Sequence, residues 1–541
     1  MPQAPTLQSF IAGRWFGQHP AQSLRSAIDG HEVARTHEEA PDFAEALAFG
    51  RHQGGKTLLA LDFQQRAQRL KALALYLSER KEQLYALSHH SGATRADSWI
   101  DIEGGNSTLF SYAGLGAREL PSGNLLHEGP AQSLSKLGSF AGSHILVPRG
   151  GVAVHINAFN FPIWGMLEKF APCFLAGMPC IVKPASATSY LTEAAVRLMH
   201  ESGLLPEGSL QLVIGATGDL LDRLQGQDLV TFTGSASTAG RLRANPNLIR
   251  HSVPFNAEAD SLNCAILAPD VSQDDEEFEL FIKEVAREMT VKAGQKCTAI
   301  RRAIIPAKQL DAVATRLRER LSKVVVGDPA VEGVRMGALA SHEQQRDVAE
   351  RLQSLLHSSD LLFGARDGFE PRGTNVSQGA FFAPTLLLAR DPMAEGGAHD
   401  IEAFGPVSTL MAYDDLDQAL ELASRGKGSL VASLVTKSPA IAAQVIPRAA
   451  AWHGRLLVLD RHCAGESTGH GSPLPQLKHG GPGRAGGGEE LGGLRAVKHY
   501  LQRAAIQGSP SMLAAVTGEY VRGAQVLSLI HISEPTRPER I

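Results

Sequence analysis

Apolar and polar positions alternate along the chain in two rhythms. Over residues 63–89 apolar side chains recur at helical spacing among many charges, which predicts an amphipathic helix. Short apolar runs then appear at 152–157 (VAVHIN), 179–185 (PCIVKPA), 209–215 (SLQLVIG) and 229–235 (LVTFTGS), and each predicts a buried strand. Between the first two lies FPIWGMLEKFAPCFLAG, a helix with Pro162 near its start and Gly177 at its end. Strands separated by helices predict βαβ units and a parallel sheet. A second series begins near Cys264, with a helix over 278–289, a strand over 299–306, a helix over 308–326, and strands at 429–436 and 454–460. The fold class is α/β, with no internal repeat.

Residues 463–493 break this rhythm. The stretch STGHGSPLPQLKHGGPGRAGGGEELGG is too rich in Gly and Pro for a regular helix or strand. Its glycines are mixed with Arg484, Glu489 and Glu490 rather than with serine repeats, so an ordered loop is expected instead of a flexible linker. The last stretch, 527–541 (LSLIHISEPTRPERI), resembles translated adapter DNA and is set apart as an artefactual tail.

Composition narrows the function classes. At roughly 150 residues per domain, 541 residues suggest three or four structural units. An apolar share of 43% and a charged share of 20% fit an ordinary globular protein. The formal net charge of −4 gives no basic footprint for nucleic acid. No apolar run is long enough to span a membrane, and the first residues, MPQAPTLQSFIAGRWF, lack the pattern of a signal peptide. The five cysteines are odd in number and form no CxxC pair, so a reducing, cytoplasmic setting is expected.

One cysteine stands in a suggestive setting. In EMTVKAGQKCTAIRR, Cys297 follows Gly294, Gln295 and Lys296. A free thiol with a pKa of about 8.5 is only a few per cent thiolate at neutral pH. Lys296 points away if the segment is extended, so the turn at Gly294-Gln295 is the better source of backbone N–H groups. A buried structural cysteine would read the same way. Glu258, among small residues in PFNAEADSLN, suits a buried general base or a solvated strand-end carboxylate. Asn160 in HINAFNFP suits an oxyanion hole or an N-cap. Lys183 in IVKPAS ends a strand, where parallel sheets bind ligands. Gly234 and Ser235 in FTGSASTAG form a strand-to-helix turn that can hold a phosphate. EAFGPV, with Glu402 and Phe404, is the sixth piece. His462, Cys463, His470 and His479 could suggest a metal, but their spacings of one, seven and nine match no common zinc pattern.

These six pieces, in this order, resemble the aldehyde dehydrogenase superfamily over residues from about 10 to about 506. The stretches SGATRADSW, DIEGG, GVAVHINAFNFPIWGMLEK and REMTVKAGQKCTAIRR are most similar to the dehydrogenase part of a bifunctional family of phenylacetate degradation. That family pairs a semialdehyde dehydrogenase with a C-terminal MaoC-like domain that opens oxepin-CoA. Here the second domain is absent and its activity is not expected. The semialdehyde dehydrogenases of the aerobic benzoyl-CoA pathway are the alternative, and a catalytically silent scaffold is the other.

The resemblance implies a Rossmann-like dinucleotide-binding domain at 1–138 and 151–263 and an α/β catalytic domain at 264–470. It implies a small β-flap at 139–150 and 487–510, whose edges would need a partner chain, hence at least a homodimer. Cys297 would be the nucleophile, Asn160 and the Cys297 N–H the oxyanion hole, and Glu258 the base that activates water. Lys183 would bind the adenosine ribose, Gly234 and Ser235 the pyrophosphate, Glu402 and Phe404 the nicotinamide ribose, and Gln295 would line the site. The substrate would be a CoA-linked aldehyde. A CoA-acylating relative would often lack the glutamate, so Glu258 argues for hydrolysis.

Three positions depart from the family pattern. Ser186 stands where an acid commonly chelates the ribose hydroxyls, which favours NADP over NAD. Asp260-Ser261 replaces a Gly-Gly pair after Glu258, and Ala239 replaces a glycine in the helix after Ser235, so that helix would start farther from the pyrophosphate.

Overall fold

The computed structural model describes residues 4–364 and 369–525, and the set-apart tail at 527–541 lies outside them. Two seven-stranded sheets organise the chain. In the first, the spatial order is Phe255–Glu258, Leu229–Thr233, Ala153–Ile156, Cys180–Lys183 and Leu210–Leu212, all parallel, followed by an antiparallel edge of Ser9–Ile11 and Arg14–Phe16. The parallel strands are covered on both faces, which is why they read as unbroken apolar runs.

The chain reverses direction within this sheet. After Ala153–Ile156 it lays two strands on one side, then returns to lay two on the other. Such a switch leaves a crevice beyond the carboxyl ends of the strands flanking it. The register pairs Ile156 with both Lys183 and Phe232, and Thr233 with Glu258, so these strand ends share one edge. The predicted helix between the first two strands spans Trp164–Ala176 and ends at Gly177 in the left-handed region, φ 84°. Pro162 precedes that helix. Its first amides are satisfied from another element: Asp101 Oδ1 accepts from the N–H groups of Ile163 (3.1 Å) and Trp164 (2.8 Å).

The second sheet runs Ser359–Phe363, Thr385–Ala389, Val407–Tyr413, Arg302–Pro306, Cys264–Leu267, Ser429–Val435 and His453–Leu459. Only its first pair is antiparallel. The strand predicted to begin at residue 299 begins at Arg302. Asn263 diverts the three residues before it: its Nδ2 donates to the Cys297 and Ala299 carbonyls (2.8 and 3.0 Å), while its own carbonyl accepts from the Arg301 and Arg302 N–H groups.

A third, antiparallel sheet joins Leu126–Ser133, Ala141–Pro148 and Leu501–Gly508. Leu126–Ser133 comes from a stretch that sequence reading left in the first domain. Residues Leu494–His499, expected to extend the last strand, form a short helix instead. Leu134, Leu137 and Phe140 are exposed beside this sheet. Among the described residues, no helix is long and apolar enough to cross a membrane.

Candidate active site

The sequence places Cys297 after a turn that no ordinary L-residue favours. Lys292, Ala293 and Gly294 have φ of 58°, 51° and 69°, three consecutive residues in the left-handed region. At Gly294 a Cβ would overlap the Gly405 carbonyl, so the EAFGPV segment packs directly on the turn. The strained backbone is held from several directions. The Lys292 N–H donates to Asp97 Oδ1 (2.7 Å). Arg301 donates to the carbonyls of Gly294 (2.9 Å) and Gly405 (2.7 Å). Asp97 and Asp101 lie one turn apart on the helix Arg95–Glu119. One helix face therefore anchors both the turn before Cys297 and the start of Trp164–Ala176.

Gln295 does not line the site. Its Oε1 accepts from the Ala340 N–H (2.9 Å), its Nε2 donates to the Lys292 carbonyl (3.0 Å), and its own carbonyl accepts from Asn160 Nδ2 (3.0 Å). It braces the turn, which corrects the expectation from sequence. Lys296 turns away from the sulfur and pairs with buried Glu288 (2.7 and 2.8 Å). The Cys297 N–H has no acceptor among the described residues.

Glu258 is buried, with Oε2 3.2 Å from His479 Nε2, and that same ring nitrogen is 3.9 Å from Cys297 Sγ. Burial alone would raise the Glu258 carboxyl, but the charges of His479 and Lys169 outweigh it and hold it at about 2. Burial pushes His479 down, yet facing Glu258 leaves it raised. Burial, and then the negative charge of Glu258, push the Cys297 thiol up. The resting site thus holds a thiol and a carboxylate, beside a histidine whose proton the carboxylate favours. Behind Glu258, Lys169 bridges Glu168 (3.0 Å) and Glu490 (2.9 Å) in the interior, and burial raises Glu490 to about 7 against the pull of Lys169.

Sequence reasoning missed His479 as a site residue, considering it only as a metal ligand. The four residues weighed there do not gather: His470 bonds Ser433 (2.5 Å), while the ligand-type atoms within 4.8 Å of one another among the described residues form two groups, Glu258 with Cys297 and His479, and Glu258 with Glu168 and Glu490. What brings His479 in is the glycine-rich loop, which is ordered. It docks on the strand of Glu258 through Ala259 N–H to the Ala485 carbonyl (3.0 Å) and Gly488 N–H to the Ala257 carbonyl (3.1 Å). A Cβ at Gly488 would overlap Ala257, so glycine permits the approach.

Two cavities meet at the sulfur. Asn160, Glu258 and Cys297 line both. The smaller, about 50 Å³, is walled by Ile100, Phe161, Trp164 and Arg287. The larger, about 700 Å³, lies in the crevice of the first sheet and takes in Gly234, Ser235, Glu402 and Phe404. Lys183 and Ser186 are not on its wall; of that segment only Ala185 is. The helix Ala236–Arg243 starts directly after Ser235 even with Ala239, which is buried in it. Asp260 Oδ1 accepts from the Ala236 N–H (2.8 Å), so a carboxylate already occupies that helix start, with Arg484 3.8 Å from it. Ser261 donates its N–H to Glu402 (3.1 Å) and its hydroxyl to Asn263 (2.6 Å). Burial raises the Glu402 carboxyl to about 7, with Arg301 opposing. The buried Asn157 amide and Thr233 hydroxyl on this wall have no partner among the described residues. A dinucleotide fits such a cleft, by its size and by these unspent polar groups.

The profile of the aldehyde dehydrogenase family matches residues 18–505. The chain belongs to the aldehyde dehydrogenase family. It is an oxidoreductase acting on aldehydes, in the fold of that family. It is 42% identical to the 3,4-dehydroadipyl-CoA semialdehyde dehydrogenase of Aromatoleum evansii over 478 residues, 88% of this chain and 93% of that one. It is 54% identical to Protein MaoC of Klebsiella aerogenes over 192 residues, 35% of this chain and 56% of that one. Betaine aldehyde dehydrogenase of Staphylococcus aureus, solved in complex with NAD+, superposes with a TM-score of 0.81 at 21% identity, covering 98% of this chain and 97% of that one.

Proposed function

We propose that this aldehyde dehydrogenase oxidises a CoA-linked semialdehyde to the carboxylic acid during breakdown of an aromatic acid, with phenylacetate as the source. The observation that carries the reading is the position of Cys297, where two cavities meet beside Glu258 and Asn160. The name of the 42%-identical relative supports a CoA-linked semialdehyde, and the stretch shared with Protein MaoC supports the phenylacetate branch. The same 42% identity favours a second reading, in which the substrate is the shorter 3,4-dehydroadipyl-CoA semialdehyde.

Cys297 gives up its proton to Glu258, and the imidazolium of His479 steadies the charge between them. The sulfur adds to the aldehyde carbon, and the oxyanion takes hydrogen bonds from the Cys297 N–H and from the Asn160 amide, which leaves the Gln295 carbonyl to do so. A nicotinamide cofactor, NADP by preference, supplies the hydride acceptor when bound. The resulting thioester carbonyl stays on Cys297. Glu258 draws a proton from water, the water oxygen attacks, the C–S bond breaks and the acid leaves. Lys169 with Glu168 and Glu490 forms an interior chain to which Glu258 passes its proton.

Glu402 and Phe404 position the nicotinamide ribose, and Gly234 and Ser235 the pyrophosphate, with Arg484 offsetting Asp260. Lys183 and Ser186 act at the rim on the adenosine ribose. The domain assignment is kept with one change: 1–125 with 151–263 serve the dinucleotide, 264–470 the nucleophile, and the sheet of Leu126–Ser133, Ala141–Pro148 and Leu501–Gly508 a partner subunit. Exposed Leu134, Leu137 and Phe140 support pairing of at least two chains, and five free thiols support a cytoplasmic setting. NADPH formation from a dicarboxylic semialdehyde-CoA tests the reading, with Cys297→Ala as control. A signal lost in the variant supports it; no signal from folded protein with either cofactor refutes it. The ratio of kcat/KM on the two chain lengths separates the two substrates.

A further inference from the structure

One residue on the wall of the small cavity at Cys297, Arg287, faces a second space. That side chain also lines a surface hollow of about 510 Å³ between the helices Glu276–Thr290 and Leu310–Leu321. Lys283, Arg287, Arg316, Arg320, Lys323 and Arg335 ring the hollow. Its two acids, Glu279 and Glu319, are both held by Arg316 (2.7 Å each). Lys283, Arg320, Lys323 and Arg335 have no acidic partner among the described residues, and Arg287 has only Glu284 at 3.8 Å. This gathering occurs on a chain whose net charge is −4.

The arrangement is regular. Lys283 and Arg287 stand four apart on one helix, and Arg316 and Arg320 four apart on the other, so two cationic rows face one hollow. Like charges at that spacing repel, and a structural role would call for acids between them. The inner cavity differs in kind, with Ile100, Phe161 and Trp164 on its wall. Outer and inner hollows in tandem match a molecule that is multiply anionic at one end and uncharged near its reacting carbon.

We propose that the basic hollow seats the 3′-phosphate and diphosphate of the coenzyme A end of the substrate, with the pantetheine arm running past Arg287 to Cys297. Arginine and lysine in clear excess over acids, with four of the cations unpaired by any acid among the described residues, are suited to phosphate oxygens. The proposal rests on the CoA-linked reading above. It adds the site that recognises the nucleotide, on the side of Cys297 away from the dinucleotide cleft.

The test compares the semialdehyde as its CoA thioester, its dephospho-CoA thioester and its pantetheine thioester. In wild type kcat/KM should fall in that order, and added salt should weaken the CoA substrate most, the dephospho-CoA substrate less and the pantetheine substrate not at all. The triple variant Lys283→Glu/Arg320→Glu/Lys323→Glu should lose about 10- to 100-fold in kcat/KM on the CoA substrate, mostly through KM, and stay within about twofold on the pantetheine substrate. The neutral pair Lys323→Gln/Arg335→Gln gives the same pattern more weakly and serves if the triple variant does not fold. A wild-type preference for CoA that survives both sets of substitutions would overturn the proposal alone. A wild type indifferent to the CoA moiety would overturn the CoA-linked reading and the proposal with it.

Discussion

The two seven-stranded sheets bring opposite ends to the same point. The first presents the carboxyl ends of its strands, where Glu258 and the turn at Gly234 emerge in ordinary backbone geometry. The second presents the loop ahead of Arg302–Pro306, and Cys297 reaches the site only after three left-handed residues. A crevice at a strand switch arises from topology alone. A nucleophile on a strained turn needs anchors from elsewhere, here Asp97, Arg301 and Asn263. The cofactor side is therefore built locally, and the nucleophile side is built by tertiary contacts.

That contrast can be broken most directly at the reacting groups. Cys297→Ala should lower kcat by at least about 10³-fold without a change in thermal stability. Glu258→Gln should lower steady-state kcat by about 10²- to 10⁴-fold and slow the burst of reduced cofactor as well, because the same carboxylate takes the Cys297 proton and later activates the water. Stopped-flow absorbance separates the two roles; a burst of unchanged rate in Glu258→Gln would confine the glutamate to hydrolysis.

The glycines of the two sides should respond differently. Gly294→Ala places a Cβ into the Gly405 carbonyl on a left-handed residue, with a cost of about 1–3 kcal/mol from strain alone. Thermal denaturation should show a loss of several degrees, and kcat should fall with it. In Gly234→Ala the added Cβ meets the Phe232 ring, 2.6 Å away at its nearest atom. That substitution should raise the KM for cofactor with a smaller loss of melting temperature. Equal thermal losses in both would erase the distinction.

His479→Gln should move the acid limb of the pH–kcat profile upward. In wild type the carboxyl of Glu258 is held low, so its ion pair contributes stability above the unfolded value near 4.5 that is lost as pH falls through about 2. Without the imidazolium, burial dominates and the carboxyl protonates at higher pH. An unchanged limb would show that Lys169 alone holds Glu258.

The smallest effect is expected at Glu402. Its carboxyl is raised to about 7, so the folded state retains a proton that the unfolded state has lost. That stabilising uptake is present at low pH and lost as pH rises through about 7. Ionisation should in turn improve its acceptor strength toward ribose hydroxyls. Cofactor affinity by titration calorimetry should therefore rise through about pH 7, and Glu402→Gln should flatten the curve.

Much of the site was legible in sequence where chemistry and backbone demand coincide. Cys297, Glu258 and Asn160 sit in short motifs whose glycines, prolines and small residues mark turns and strand ends, and the three meet where both cavities do. Gln295 was misjudged because a motif shows adjacency but not which way a side chain turns. Lys183 and Ser186 stay off the wall of the larger cavity for the same reason. His479 lies 182 residues from Cys297, and Asp97 lies 195 from Lys292; each looks ordinary in its own segment.

Alternating apolar runs and helical stretches, with glycine and proline at their ends, determined by themselves the α/β class and many of the parallel strands, and marked Cys297 and Glu258 as candidates, while central strands such as Val407–Tyr413 went unread. These are local properties, set by backbone freedom and by which faces must leave water. Only the tertiary structure decided which residues charge and support that chemistry. The His479–Glu258 pair, the Lys169 chain and the bonds that hold the left-handed turn all join segments far apart in the chain. Their energies depend on burial and distance, and neither is written in local sequence.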